Sequence, residues 1–371
     1  MAHHRPESKS PPRLQEDGAL AESKSPQRPG HISQPGNQPR PGHRSRPKSK
    51  FQLCQVEENM LKMTFTQHQR EHRDSSDTQS RGCARTHNTE RISRTPRRAT
   101  PTPSQRPAPA EFDLHAACWA GNMAVVKRIM SQGQSDIDGI GGLWRTTPVM
   151  AAAWHGHVDV VKLLVTEGAN VSLEDSAGDN ILHYACYSGL VELVKFVLSE
   201  KMADVNSRGE GYRTPVMAAA WYGHREVVEL LIREGADVSL VDSDSDNILH
   251  WACEGGDVEM VKFVLSQEMA DINSRGKESR TPVMEASLYK RREVVELLVR
   301  AGAVMTLVDD AGNSILHLAC EGKDEETVKF VLSLNVVDIN ARNKKGQNVA
   351  DVARDKEHQE MVHLLVSHGA Q

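Results

Sequence analysis

Beyond residue 110 the apolar positions come in short, regular bursts. The stretch Pro215 to Ala220 is small and apolar, and after Gly223 it is followed by Val227, Val228, Leu230, Leu231 and Ile232, whose spacing lines one face of a helix. The pattern predicts two short helices per burst. Gly156, Gly189 and Gly223 stand between the first and second helix, and Gly168, Gly235, Gly302 and Gly369 close the second, as expected where a chain must turn through a left-handed conformation. Thr147, Asn180, Thr214, Asn247, Thr281, Ser314 and Asn348 each precede an apolar burst and carry a side-chain acceptor for the free amides of a first helical turn, so they are predicted N-caps. Pro148, Pro215 and Pro282 follow at the first helical position, where the missing N–H costs nothing.

The bursts repeat. Thr147-Pro148-Val149-Met150 returns at Thr214 and at Thr281, each time 67 residues on, and Asn180-Ile181-Leu182-His183 returns at Asn247 and, as Ser314-Ile315-Leu316-His317, at the same interval. The unit is therefore a pair of alternating repeats of 33 and 34 residues. One repeat cannot stand alone. Five large apolar side chains at roughly 1.5–3 kcal/mol each fall far below the ordering cost of about 1.5 kcal/mol per residue. Neighbouring repeats must bury one another's helices, which predicts a stacked solenoid.

These residues resemble the ankyrin repeat family, whose Thr-Pro-Leu-His opening, inter-helix Gly-His and Gly-Ala-Asp-Val closing are matched by Thr214-Pro215-Val216-Met217, Gly223-His224 and Gly235-Ala236-Asp237-Val238. The resemblance implies an all-α repeat solenoid of helix-turn-helix units with β-hairpin fingers. About eight units are expected over residues 111–371, at approximately 111–142, 143–175, 176–209, 210–242, 243–276, 277–309, 310–343 and 344–371. Two departures stand out. Lys201-Met202 replaces a closing glycine, which predicts that the second helices of the 34-residue units run longer, and Lys290-Arg291 replaces Gly-His, which predicts a local irregularity.

Composition separates residues 1–110 from the rest. Of the 17 prolines, 14 lie there, with 20 Lys and Arg against 10 Asp and Glu, so that segment carries +10 and the repeats −15. With few large apolar side chains it is expected to be a disordered basic tail. Its cluster His43 to Lys50 suits a polyanion or nuclear-import receptor, and Phe51 to Phe65 has the apolar spacing of one short helix. Ser10 and Ser25, before Pro11 and Pro26, and Thr95 and Thr100, around Arg97-Arg98, are candidate phosphorylation sites. The six cysteines show no pairing pattern and no segment is apolar enough to span a bilayer. A cytoplasmic or nuclear monomer is expected.

His183 with Cys186, His250 with Cys253 and His317 with Cys320 imitate metal-ligand spacing. Each pair belongs to a different repeat pair, on the order of 20 Å from the next when helices pack about 8–10 Å apart, so no metal or cofactor site is expected. The histidines should instead hydrogen-bond between units. No phosphate loop or nucleophile elbow is present, and an enzyme is not expected.

The resemblance implies protein binding along the fingers and the ends of the first helices. Residues before the inter-helix turn form an aromatic row there: Trp119, Trp154 with His155, Tyr187, Trp221 with Tyr222, and Tyr289. The fingers alternate in sign, with Arg145, Arg213 and Arg280 against Asp179 and Asp246. Asn206, Asn273 and Asn340 end a Leu-x5-Asp-(Val/Ile)-Asn pattern that resembles the asparagine hydroxylation site of ankyrin repeats. The leading expectation is a protein-interaction scaffold or adaptor. Nucleic-acid or other polyanion association through the basic tail, or a ubiquitin-ligase substrate adaptor lacking its own recruiting box, are the alternatives.

Overall fold

The computed structural model describes residues 113–371 apart from 134 and 143. The expected tail, with Ser10, Ser25, Thr95, Thr100 and the polyanion contact, lies outside the described residues. Sixteen α-helices form eight antiparallel pairs among the described residues. In chain order they are α1 (Leu114–Trp119) with α2 (Met123–Ser131), α3 (Pro148–Trp154) with α4 (Val158–Thr166), α5 (Ile181–Ser188) with α6 (Val191–Ser199), and α7 (Pro215–Trp221) with α8 (Arg225–Arg233). The second half continues with α9 (Ile248–Gly255) and α10 (Val258–Ser266), α11 (Pro282–Leu288) and α12 (Arg292–Arg300), α13 (Ile315–Gly322) and α14 (Glu325–Leu334), and α15 (Val349–Asp355) and α16 (Gln359–Ser367). Each first helix packs on the first helix of the next pair, from α1 on α3 to α13 on α15, so the core is one continuous seam. This is the helical solenoid that stacking requires.

Side-chain caps start most pairs, although Thr281, an expected cap, occupies the N-cap position without making a side-chain cap bond. The Thr147 and Thr214 hydroxyls accept from the amides of Met150 and Met217 at 3.4 and 3.5 Å. Asn180 accepts from the amides of Leu182 and His183, and His183 Nδ1 in return accepts the amide of Asn180 at 3.3 Å. Its Nε2 faces the carbonyl of Arg213 at 3.1 Å in the next pair. One tautomer satisfies both bonds, neutral with the proton on Nε2. His250 and His317 repeat this reach to Arg280 and Gln347, each at 3.2 Å. These rings are inter-repeat rivets, as the sequence suggests.

The fingers between pairs are tight turns closed by backbone bonds such as Gly209 N to Arg213 O at 2.8 Å and Gly276 N to Arg280 O at 2.9 Å. The one β-bridge among the described residues joins Gly141 and Thr146. Successive fingers are tied by Ser176 N to Trp144 O, Ser243 N to Gly211 O and Asp310 N to Glu278 O at 2.7–3.0 Å.

Both expected departures turn out otherwise. α6 and α10 have nine residues, the same as α4 and α8, and only α14 has ten. Lys201 and Glu268 adopt the left-handed conformation themselves, at φ 54° and 51°, because the packed helices on either side dictate where the chain turns. The 34th residue is absorbed in the following loop. Lys290 likewise takes the left-handed turn at φ 61°, and Arg291 Nε donates to Glu254 O at 2.9 Å where His157 and His224 reach Trp119 O and Tyr187 O at 3.1 and 3.2 Å. The irregularity expected at Lys290-Arg291 is absent because a longer side chain makes the same inter-repeat bond.

Candidate interaction surface

The first helices carry their aromatic residues at or near their C-terminal ends, and stacking brings these rings into contact. Trp119 lies 6.1 Å from Trp154 between ring centroids and 4.3 Å from His155. Trp154 touches Tyr184 and Tyr187 at 5.4 and 5.6 Å, Tyr187 touches Tyr222 at 5.5 Å, and Tyr222 leads to Trp221 at 5.1 Å and on to Trp251 at 5.8 Å. The result is an unbroken ladder from α1 to α9. Trp119, Trp154, His155, Trp221 and Tyr222 are half-buried, while Tyr184, Tyr187 and Trp251 are buried behind them. Tyr184 and Trp251 were not singled out from the sequence. Their signal was available, since they stand 67 residues apart at one position of the repeat. The ladder ends within α9, where Glu254 takes the place of Tyr187, and farther on Leu288 and Glu321 occupy the corresponding places. Tyr289 is half-buried and lies past that end.

Several residues expected to face a partner are interior. Asp179 is fully buried, Tyr187 and Arg213 are each 4 % exposed and Asp246 is 2 % exposed, so none of the four offers contact surface. The reason is a network that the packing completes. Tyr187 donates to Asp179 at 2.6 Å, Glu210 N–H donates to the same carboxylate at 2.8 Å, and Arg213 donates to Tyr187 at 3.1 Å and Glu210 at 2.9 Å. Gly209 permits this approach, because a Cβ there would collide with the Asp179 carboxylate. Burial, followed by the neighbouring carboxylates, holds the Tyr184 phenol far above its usual range, and burial likewise keeps Tyr187 a protonated donor. Asp246 is spent on the amide of Lys277 at 2.9 Å, and Arg280 on Glu278 at 2.5 Å. Arg145 alone of the expected finger charges is exposed.

Burial also silences the cysteines. The thiols of Cys118 and Cys320 are pushed up to about 12, leaving them protonated and unreactive in the core. Among the described residues no group of three or more His, Cys, Asp and Glu is placed to hold a metal ion, and no helix is long and apolar enough to cross a membrane.

Asn206 donates from Nδ2 to Gly235 O at 3.2 Å and accepts the amide of Asp237 at 2.8 Å. Asn340 makes the same pair of bonds to Gly369 and Gln371 at 3.1 and 3.0 Å, and Asn273 accepts the amide of Val304 at 2.8 Å. All three are half-buried clasps between the loops of consecutive repeats.

Comparison with known proteins agrees with this architecture. The family described as Ankyrin repeats (3 copies) matches residues 114–209, 216–309 and 297–371, well over half of the chain. Similar proteins include the Nuclear factor NF-kappa-B p105 subunit of Gallus gallus, 27 % identical over 54 % of this chain and 21 % of its own length. The Probable palmitoyltransferase AKR2 of Saccharomyces uvarum is 39 % identical over 39 % of this chain and 20 % of its length, and Rabankyrin-5 of Mus musculus is 29 % identical over 39 % and 13 %. The chain thus spans about a fifth or less of these relatives. Ankyrin repeats generally present surface to other proteins. On its period, its riveting histidines and the family match together, this chain belongs to the ankyrin repeat family.

Proposed function

We propose that the protein is a non-enzymatic adaptor that holds a segment of a partner protein against the aromatic ladder and the adjoining fingers. One observation carries this reading. Trp119, Trp154 and His155 touch one another, as do Trp221 and Tyr222, and all five stay half open to solvent; buried Tyr187 joins the two groups, and Val, Leu and Ala beneath them are fully enclosed. Contiguous large apolar surface of this kind marks a binding face, and aromatic side chains dominate the energy of such faces. Transferase activity in the name of a relative belongs to that protein. The reading places the adaptor in cytoplasm or nucleus as a monomer.

The test compares partners captured by the full chain with those captured by a Trp119→Leu, Tyr222→Leu variant, which keeps apolar side chains at both places but removes the rings. Capture should be lost while stability falls by no more than about 1–2 kcal/mol. Undiminished capture would remove the reading. Deleting residues 1–110 should leave capture in place; its disappearance would shift the function to the basic segment.

A further inference from the structure

The turn between the two helices of each repeat passes through a left-handed conformation. In the first five repeats a glycine supplies it, Gly121, Gly156, Gly189, Gly223 and Gly256, at φ from 64° to 90°. In the sixth and seventh the same turn is made by Lys290 and Lys323 at φ 61° and 59°, and in the eighth by Glu357 at 56°. A lysine gains no stability there, since an L-residue is strained where glycine is not. Strain of this kind is retained where the side chain has a use beyond the fold. Both lysines are exposed, and among the described residues neither is held in an ion pair.

Lys323 caps α13, and Lys290 follows Tyr289, which caps α11. Both lysines therefore leave from the C-terminal ends of first helices, the ends that carry the aromatic ladder nearer the N-terminus. Tyr289 stands where Tyr222 stands one period earlier. Arg291 is exposed beside Lys290, with Nε fixed on Glu254 O at 2.9 Å and its stem laid over Gly256, where a Cβ would collide with it. Carboxylates of the neighbouring turns are already engaged: Glu321 with Lys356 at 3.0 Å, Asp324 with the Thr327 amide and hydroxyl at 3.2 and 2.6 Å, and Asp257 with the Met260 amide at 2.6 Å. Repeats that carry −15 overall thus expose three cations, Lys290, Arg291 and Lys323, in line with the rings.

We infer that Lys290, Arg291 and Lys323 bind carboxylate side chains of the captured protein segment, which has an apolar part on the ladder and an adjoining acidic part on the ends of α11 and α13. These two helices pack on each other. With axes roughly 8–10 Å apart and an extended segment advancing about 3.3 Å per residue, the acidic side chains are spaced about three residues apart. The inference rests on the adaptor reading and names the partner chemistry that the second half of the solenoid recognises.

The experiment titrates the full chain with two fluorescein-labelled peptides that share a leucine-rich half and differ only in carrying a pair of glutamates or a pair of glutamines at that spacing. The glutamate peptide should bind about five- to tenfold more tightly at low ionic strength, and added salt should close the gap. Lys290→Gly, Lys323→Gly should abolish the gap while raising the urea midpoint, because both turns lose their strain. A more stable chain that has lost the preference separates recognition from damage to the fold. Lys201→Gly removes an exposed left-handed lysine at the other end of a helix pair and should keep the gap. Equal signals from the two peptides, absence of binding included, would overturn the inference. So would a gap that survives in the double variant, which would trace it to the basic residues 1–110. If the double variant keeps the captured partners that Trp119→Leu, Tyr222→Leu loses, the adaptor reading stands and the acidic recognition falls.

Discussion

Arg213 donates from Nη2 to the phenol oxygen of Tyr187 at 3.1 Å, linking the finger before α7 to the end of α5 across the junction of two repeats. Tyr187 passes the interaction on to Asp179, so a cation, a phenol and a carboxylate share one enclosed space. Arg213→Ala leaves Asp179 buried without its counter-charge, and the urea-unfolding free energy should fall by about 3–5 kcal/mol. Arg213→Met, which keeps volume against Trp221 and Trp251, should lose less.

Lys290 occupies a left-handed turn at φ 61°, a conformation that costs an L-residue about 1 kcal/mol relative to glycine. Lys290→Gly should therefore stabilise the chain by up to about 1 kcal/mol, with Lys201→Gly acting in the same direction. A raised urea midpoint is the expected reading.

The Asn206 side chain clasps Gly235 and Asp237 of the following loop. Asn206→Ala should cost about 1–2 kcal/mol, and native-state hydrogen exchange should quicken first at that junction. We further propose hydroxylation of Asn206, Asn273 and Asn340; mass spectrometry after co-expression with an asparaginyl hydroxylase should find an added oxygen on them, and unmodified residues would dismiss it.

Burial lowers the pKa of His115, His224 and His317 below the ordinary 6.5. Above that value both folded and unfolded chains keep these rings neutral, and they add no pH dependence. Below it the unfolded chain takes up protons first, so stability must fall as pH drops through 6.5. Urea midpoints at pH 7.5 and 5.5 should differ in that direction, and His317→Gln, which keeps a polar group facing Gln347, should flatten the difference.

Much of this was legible because it depends on neighbours a few residues away. The caps at Asn180 and Thr214 bond to amides two or three residues on, and Gly156 and Gly223 turn the chain where the pattern places them. The 67-residue period then shows which helices must cover one another. What local pattern misjudged was the end of the helix before Lys201, where packed helices on both sides impose a left-handed turn that the residue itself disfavours.

The aromatic row was visible in the chain, but its division was not. By itself the sequence determined the repeat, the helices, their caps and the stacking order, since hydrogen bonds to adjacent amides and periodic apolar faces are short-range properties. Only the tertiary structure decided that Trp119 and Trp154 stay partly open while Tyr187, Asp179 and Arg213 close on one another. Burial is a property of everything around a side chain, and here those surroundings are assembled from helices and fingers about thirty residues apart, one repeat length.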